Sequence, residues 1–436
     1  MRDFWSGLPI LAQDMTVALA WLLPLGLVAL VVLRGFHPWP LVGALMARFR
    51  WPTAMFITLI AVSVGLGIGL VAQERALRQG TAQAADSFDL VIGAPGSEIT
   101  LLLAAVFLQP SAVPLVDGET YTRVATHEAV ESAAPLAFGD SVDGAPVVGT
   151  VADFVLDLSG GLSDGRMWDT YFEAVVGATS PAAIGDLLTP AHGIGAMAED
   201  DAHAGVTYEV VGRMPPTGSP WDNAILVPVE AVWQVHGLAD GHGPESAGQI
   251  GPPFDARFFP GTPAMVVRAE TLAANYVLRA EFNTDETMAF FPGAVLSSLY
   301  GILGDVRQAM SLMSLVTQGL VAASVLLGLV ILSRLIRRQM ALLRALGAPA
   351  RFVFSVVWSF AVLMLGLGAV LGLGVGWAAA TVLSRIVTAR TDVLVSAGLG
   401  WTEIQLVAAF LGLASLAALI PAALMLRQGV VEGLRA

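Results

Sequence analysis

The sequence contains no cysteine and no lysine. The first absence removes disulfides, thiolate metal sites and thiol nucleophiles. The second removes the Walker A loop, whose Gly-x-x-x-x-Gly-Lys-Ser/Thr needs a lysine on the phosphates. If ATP drives this chain, a separate subunit must supply the ATPase. No hydrolase signature compensates. Ser97 follows Gly-Ala-Pro-Gly, a turn without the Gly-x-Ser-x-Gly elbow. Gly65-Leu-Gly67-Ile-Gly69 lies in a continuous apolar run with no strand before it, so it is not a nucleotide loop. The expectation is a non-catalytic chain.

Apolar side chains are abundant. They make up 56% of the 436 residues, and the mean hydropathy is +0.72. Such a composition fits a membrane protein with a sizeable soluble part. Charge is unevenly placed. Residues 79–305 hold 29 of the 35 Asp and Glu against 6 Arg, a balance of −23 (6 − 29). The other residues hold 16 Arg against 6 acids. An acidic domain outside and a basic inner face follow from this asymmetry. The asymmetry also argues against nucleic-acid binding by the acidic block, which would repel phosphates.

Membrane-length runs need roughly 20 apolar residues. Met15 to Leu33 is the first and reads as a retained helix with its N-terminus outside, since Arg2 is balanced by Asp3 and bulky residues follow the run. Pro40 to Arg50 places Leu41, Leu45 and Phe49 on one helical face and reads as an interfacial elbow. Thr53 to Ala72 is the second span, with glycines suited to close packing. Met310 to Ser333, Phe352 to Val382 and Ile404 to Leu426 are the remaining three. Between them, 74–305 alternates strand-like and helical pieces. Strands are expected over Pro146–Val155, Phe172–Gly177, Val206–Val211, Ala224–Val229, Ala264–Arg268 and Tyr276–Phe282. Short helices are expected at Thr100–Leu108 and Glu230–His236, and a stalk helix from Thr287 to Val306. The fold class is an α-helical membrane protein with a mixed α+β extracytoplasmic domain.

Arg334 to Arg351 joins two of the spans with five Arg and no acid, which places it on the cytoplasmic side. Its interior is helical in pattern, with Met340, Leu342, Leu343 and Leu346 as good helix formers and Gly347 as a C-terminal stop. From charge alone this is an ordinary positive-inside loop, a helix on the lipid surface or a helix docked on a partner.

The wording Arg338-Gln-Met-Ala-Leu-Leu-Arg-Ala-Leu-Gly-Ala348 resembles the cytoplasmic coupling segment of FtsX/MacB/LolC-type (type VII) ABC transporter permeases. That segment commonly reads Arg-Glu-Ile-Ala-Leu-Leu-Arg-Ala-Leu-Gly-Ala; Gln339 and Met340 depart from it. The order of elbow, span, large external domain and three further spans is similar to the same family, and the first span is extra to its usual four. Glu173-Ala-Val-Val-Gly and Tyr208-Glu-Val-Val-Gly resemble the Val-Val-Gly strands of a MacB-like periplasmic core domain. Phe88 to Ser97 and Pro216 to His236 look like a bacterial permease subgroup linked with zinc or other metal handling.

The resemblance implies domains 1–36, 37–73, 74–305 and 306–436, in the bacterial inner membrane with 74–305 in the periplasm. It implies that Arg338, Met340, Leu342, Leu343, Arg344, Leu346 and Gly347 couple the chain to an ABC ATPase, which brings ATP and Mg²⁺. It further implies a homodimer or heterodimer of permeases, contact with membrane lipid, and a periplasmic lipoprotein or substrate-binding partner. The work implied is mechanotransmission in export, lipoprotein or metal-related handling. The alternative is an FtsX-like signalling scaffold that activates a cell-wall hydrolase. Five of the six His lie in the acidic block. Of these, His192, His203, His236 and His242, with the nearby acids, suit Zn²⁺ in type, yet their spacings match no fixed metal motif. A metal contact and a solvated surface both remain open at this point.

Overall fold

The computed structural model describes residues 7–193, 205–301, 323, 327, 328, 330, 331 and 334–427. It divides into two compact units: Met1–Leu77 with Val306–Arg385 and Ser396–Ala436, and Arg78–Asp305 with Ile386–Val395. The chain opens with three helices, α1 (Ile10–Val32), α2 (Trp39–Arg48) and α3 (Arg50–Ala85).

The second unit is built on a mixed sheet. In chain order it comprises β1 (Leu90–Gly93), α4 (Glu98–Ala105), α5 (Gly118–Ala125), β2 (Val130–Val142), β3 (Ala145–Thr150) and α6 (Ala152–Ser159). Next come β4 (Asp164–Gly165), β5 (Glu173–Val176), β6 (Leu187–Leu188), β7 (Ala191–His192) and β8 (Tyr208–Arg213). The unit continues with β9 (Ile225–Pro228), α7 (Val229–Val235), β10 (Ala264–Ala269), α8 (Leu272–Phe282) and β11 (Met288–Phe290). The strand order is β11-β1-β10-β2-β3-β9-β5-β8-β4, with β6 on β8 and β7 on β2. The β3–β9 and β5–β8 pairs are parallel, and the others are antiparallel.

Three local expectations are corrected. Tyr276–Phe282 is helix, not strand: the Thr271 side chain caps the start by accepting from the Ala274 N–H, and Asn275, Leu278 and Phe282 form one buried stripe at helical spacing. Pro146–Val155 is strand only to Thr150 and then turns into α6. The stretch from Thr287 begins as β11, paired with β1, and helix starts only at 292.

The chain closes with α9 (Arg337–Ala345), α10 (Ala350–Thr391), α11 (Trp401–Ala417) and α12 (Leu419–Leu426). α11 and α12 break just before Pro421, which has no N–H to give to residue 417 and whose ring crowds that carbonyl. Four described segments are long and apolar enough to cross a membrane: Ile10–Val32, Arg50–Ala85, Ala350–Thr391 and Trp401–Leu426. The expected span Met310–Ser333 lies almost entirely outside the described residues, as do the stalk beyond 301 and the tail after 427.

Helix α1 is docked on α11. The Gln405 side-chain amide donates to Asp14 at 2.9 Å, and Gly412 lies so close to the Trp21 carbonyl that no Cβ would fit. Both pairs are 391 residues apart, so α1 and α11 run in the same direction. At the opposite end of this unit, one apolar core gathers Leu33, Leu45, Phe49, Ile336, Met340, Phe352 and Met425. The elbow α2 and the basic helix α9 thus meet the same core.

Candidate functional site

Two places are candidates for a functional site. The first is α9. Its sequence gives it two apolar stripes. Ile336 and Met340 are fully buried in the core of their own unit, with Leu343 packed against it one turn later. This spacing of i, i+4 and i+7 anchors one face. The other face carries Arg338 and Leu342 (54% exposed), with Leu346 (78%) at its C-terminal cap, while Leu335 (46%) lies just before the helix. The helix ends where Gly347 takes φ +95, a conformation glycine adopts without strain, and its N–H returns to the Arg344 carbonyl. Of the seven residues expected to couple, Arg338, Leu342, Leu346 and Gly347 are therefore exposed. Arg344 and Leu343 are half-buried, and Met340 holds the helix to its unit.

The second place is in the mixed sheet. β2 pairs with β7 so that Asp140 stands opposite His192. The β2–β3 register shifts between Ala137 and Asp140, and Gly139 within that shift has φ +150. Such a bulge bends the strand and re-aims the side chain that follows it. α7 springs directly from β9 and lies on β3 over Gly149, where a Cβ would come within 2.7 Å of Val232 Cγ2 and 3.0 Å of the Val229 Cα. Glycine at 149 thereby lets the helix approach. The residue that caps its C-terminal end is His236.

Three side chains converge there. His192 Nδ1 is 3.2 Å from Asp140 Oδ1, His236 Nε2 is 3.5 Å from the same oxygen, and the two His nitrogens are 3.4 Å apart. Asp140 is buried (1%), His236 partly exposed (25%) and His192 half exposed (50%). His236 Nδ1 lies 2.8 Å from the Val232 carbonyl oxygen. A carbonyl only accepts, so Nδ1 carries a proton, and Nε2, when protonated as well, donates to the Asp140 carboxylate. The hydrogen bond with Asp140 raises the His236 pKa above the ordinary value, against the burial that lowers it.

Of the four expected metal-ligating His, the structure brings His192 and His236 together and adds Asp140. His203 and the acids Glu199, Asp200 and Asp201 lie outside the described residues. His242 sits elsewhere. Its Nε2 is 3.5 Å from Glu230 Oε1, both side chains are buried, and its ring tilts against Phe254. Burial holds the Glu230 pKa above the ordinary carboxylate value. That pair belongs to the core. Asp140 escaped sequence reasoning because nothing local marks it; only the β2–β7 pairing brings it to His192.

No family model and no curated protein matches the chain. Among solved structures, the chain is similar to the periplasmic region of MacB from Actinobacillus actinomycetemcomitans, with 9% identity and a TM-score of 0.30 over 49% of this chain and 95% of that one. A likeness of that depth decides neither fold nor function.

Proposed function

We propose that this chain is the membrane subunit of an ABC transporter that works by mechanotransmission, with its ATPase on a separate subunit. The observation that carries this reading is the two-faced helix α9. One face is locked into the core of the helical unit by Ile336, Met340 and Leu343. The other presents Leu342 and Leu346 beside Arg338. A helix built only to fix topology needs the charges, not a second apolar stripe. A helix that receives force from a partner needs both: a stripe for the partner's groove and a stripe that passes movement to the spans. The absence of any lysine, and so of a Walker A loop, makes that partner the site of ATP hydrolysis.

The orientation follows the charge. Arg34, Arg48, Arg50, Arg337, Arg351 and Arg427 flank the helix ends around the core that holds α2 and α9. That end is therefore cytoplasmic, and the acidic mixed-sheet unit works outside the inner membrane, in the periplasm. Two copies, or this chain with a homologue, pair with two ATPase subunits. Nucleotide-driven closure moves α9, and the spans transmit the movement outward.

Because the native chain has no cysteine, single substitutions give unique labels. Leu346→Cys in native membranes is expected to cross-link to a protein whose peptides include a Walker A sequence. It should resist an impermeant maleimide in intact cells, whereas exposed Leu187→Cys in the mixed-sheet unit should react. A cross-link to no nucleotide-binding protein, or the reverse labelling pattern, overturns the reading.

A further inference from the structure

We propose that Asp140, His192 and His236 form a binding site for a tetrahedral divalent transition-metal ion of the Zn²⁺ class, independent of the transport reading. The argument is geometric. Zn²⁺ binds N and O ligands at about 2.0–2.2 Å in a tetrahedron, which sets its donor atoms about 3.3–3.6 Å apart. The three donor pairs here measure 3.2, 3.4 and 3.5 Å. They already describe one face of such a tetrahedron. Mg²⁺ bonds at about 2.0–2.1 Å in an octahedron, needs edges of roughly 2.9 Å and takes oxygen donors, so this face is too wide and too rich in nitrogen for it.

The support around the donors is of the kind that metal sites need. His236 gives its second ring nitrogen to the Val232 carbonyl, which fixes the tautomer with Nε2 as the coordinating atom. Asp140 is held on a strand bulge and shielded from water, so its charge is poorly screened. His192 is fixed by its strand register opposite Asp140. The three ligands come from β2, β7 and the end of α7, so a bound ion ties together elements far apart in sequence. Among the described residues these three supply the donors, and a tetrahedral ion takes a fourth ligand besides them. Asp140 and His236 also line a cavity of about 620 Å³ whose walls include Phe138, Trp233 and Leu238.

The test is titration of the purified full-length chain in detergent with Zn²⁺, followed by calorimetry, and with Co²⁺, whose tetrahedral complexes absorb visibly. One saturable ion per chain is expected, with a tetrahedral cobalt spectrum. Because even outer-shell partners are worth about 10–100-fold in affinity, removing a ligand by His192→Ala or Asp140→Asn should weaken binding by more than about 100-fold. His192 is half exposed, so its variant keeps the fold even where the buried Asp140 variant does not. His242→Ala removes a core histidine outside the triad and should leave the affinity unchanged. No saturable binding, or saturable binding that survives both His192→Ala and Asp140→Asn, overturns the proposal.

Discussion

The glycines of α10 divide into two classes, and the division predicts opposite effects for the same substitution. Gly368, Gly372 and Gly376 recur every four residues and face α3. A Cβ on Gly372 would lie 2.8 Å from Val64 Cβ and 3.0 Å from the Ala61 carbonyl oxygen. One on Gly376 would lie 2.8 Å from both the Gly65 carbonyl oxygen and Ile68 Cβ. Gly374, two residues away, has nothing within 4 Å. Alanine at either position gains about 1 kcal/mol of helix propensity. At 374 that gain stands alone, so Gly374→Ala should stabilise. At 376 the new methyl meets a backbone oxygen that cannot rotate away and a β-branched Ile68 that is stiff at χ1. Overpacking of this kind costs about 1–3 kcal/mol. Subtracting the two variants cancels propensity and isolates packing, so Gly376→Ala should be less stable than Gly374→Ala by about 1–3 kcal/mol. Apolar lipid gives helices little reason to associate except close packing, so this difference should be felt in full. Denaturant titration in micelles reads it, with tryptophan fluorescence as the signal; Trp358 is buried in the same unit and donates to the Ser415 carbonyl. A difference below about 0.5 kcal/mol, well under the overpacking range, or the reverse order, would refute the reasoning.

Arg75 holds the fully buried Glu403 at 2.7 Å, and the Gly400 N–H donates to the same carboxylate oxygen. Arg75→Gln strands that charge, which costs about 3–5 kcal/mol when one partner of a buried pair is lost. Adding Glu403→Gln should recover most of it, and an Arg75→Gln variant as stable as wild type removes the pair from the account of stability. Glu173 is held at a pKa of about 2, well below its ordinary 4.5, first by the Arg166 hydrogen bond and then by the Asp169 and Thr170 N–H groups, while burial opposes. A carboxyl whose folded pKa is depressed stabilises above its unfolded pKa and loses that contribution as pH falls toward the folded one. Stability of the wild type should therefore decline between pH 4.5 and about 2, and Arg166→Gln should flatten the decline. Parallel melting-temperature profiles for the two proteins in that window would count against the assignment.

What was legible in the sequence was whatever depends on near neighbours. Hydropathy marks the long helices because lipid-crossing length is a local property, and Gly347 marks the end of α9 because a left-handed residue is a local need. The strand expectation for Tyr276–Phe282 failed for the complementary reason. Tyr276, Val277 and Phe282 favour strands individually, but Thr271 caps a helix five residues upstream, and the buried stripe Asn275, Leu278 and Phe282 has period 3.6. The orientation of α9 was half legible. Its apolar content is plain in the sequence, yet which leucines face inward depends on where α2, α3 and α10 lie. Leu342 and Leu343 are adjacent and chemically identical, and the core takes only the second.

The histidines show the limit most sharply. His236 and His242 are six residues apart in one acidic segment, and no composition argument separates them. The structure sends the first to the end of α7, above a strand bulge, and the second into an aromatic core beside Glu230. What joins His236 to a partner is Asp140, 96 residues upstream (236 − 140), one acid among 35. Its place beside the two histidines depends on Gly139 kinking β2, on β7 pairing back to it, and on Gly149 letting α7 lie close. Each of those three is a backbone event between residues distant in sequence, and each places one donor. The triad is thus a property of the sheet's register, which a slip of one residue on either strand would abolish by turning Asp140 or His192 to the opposite face.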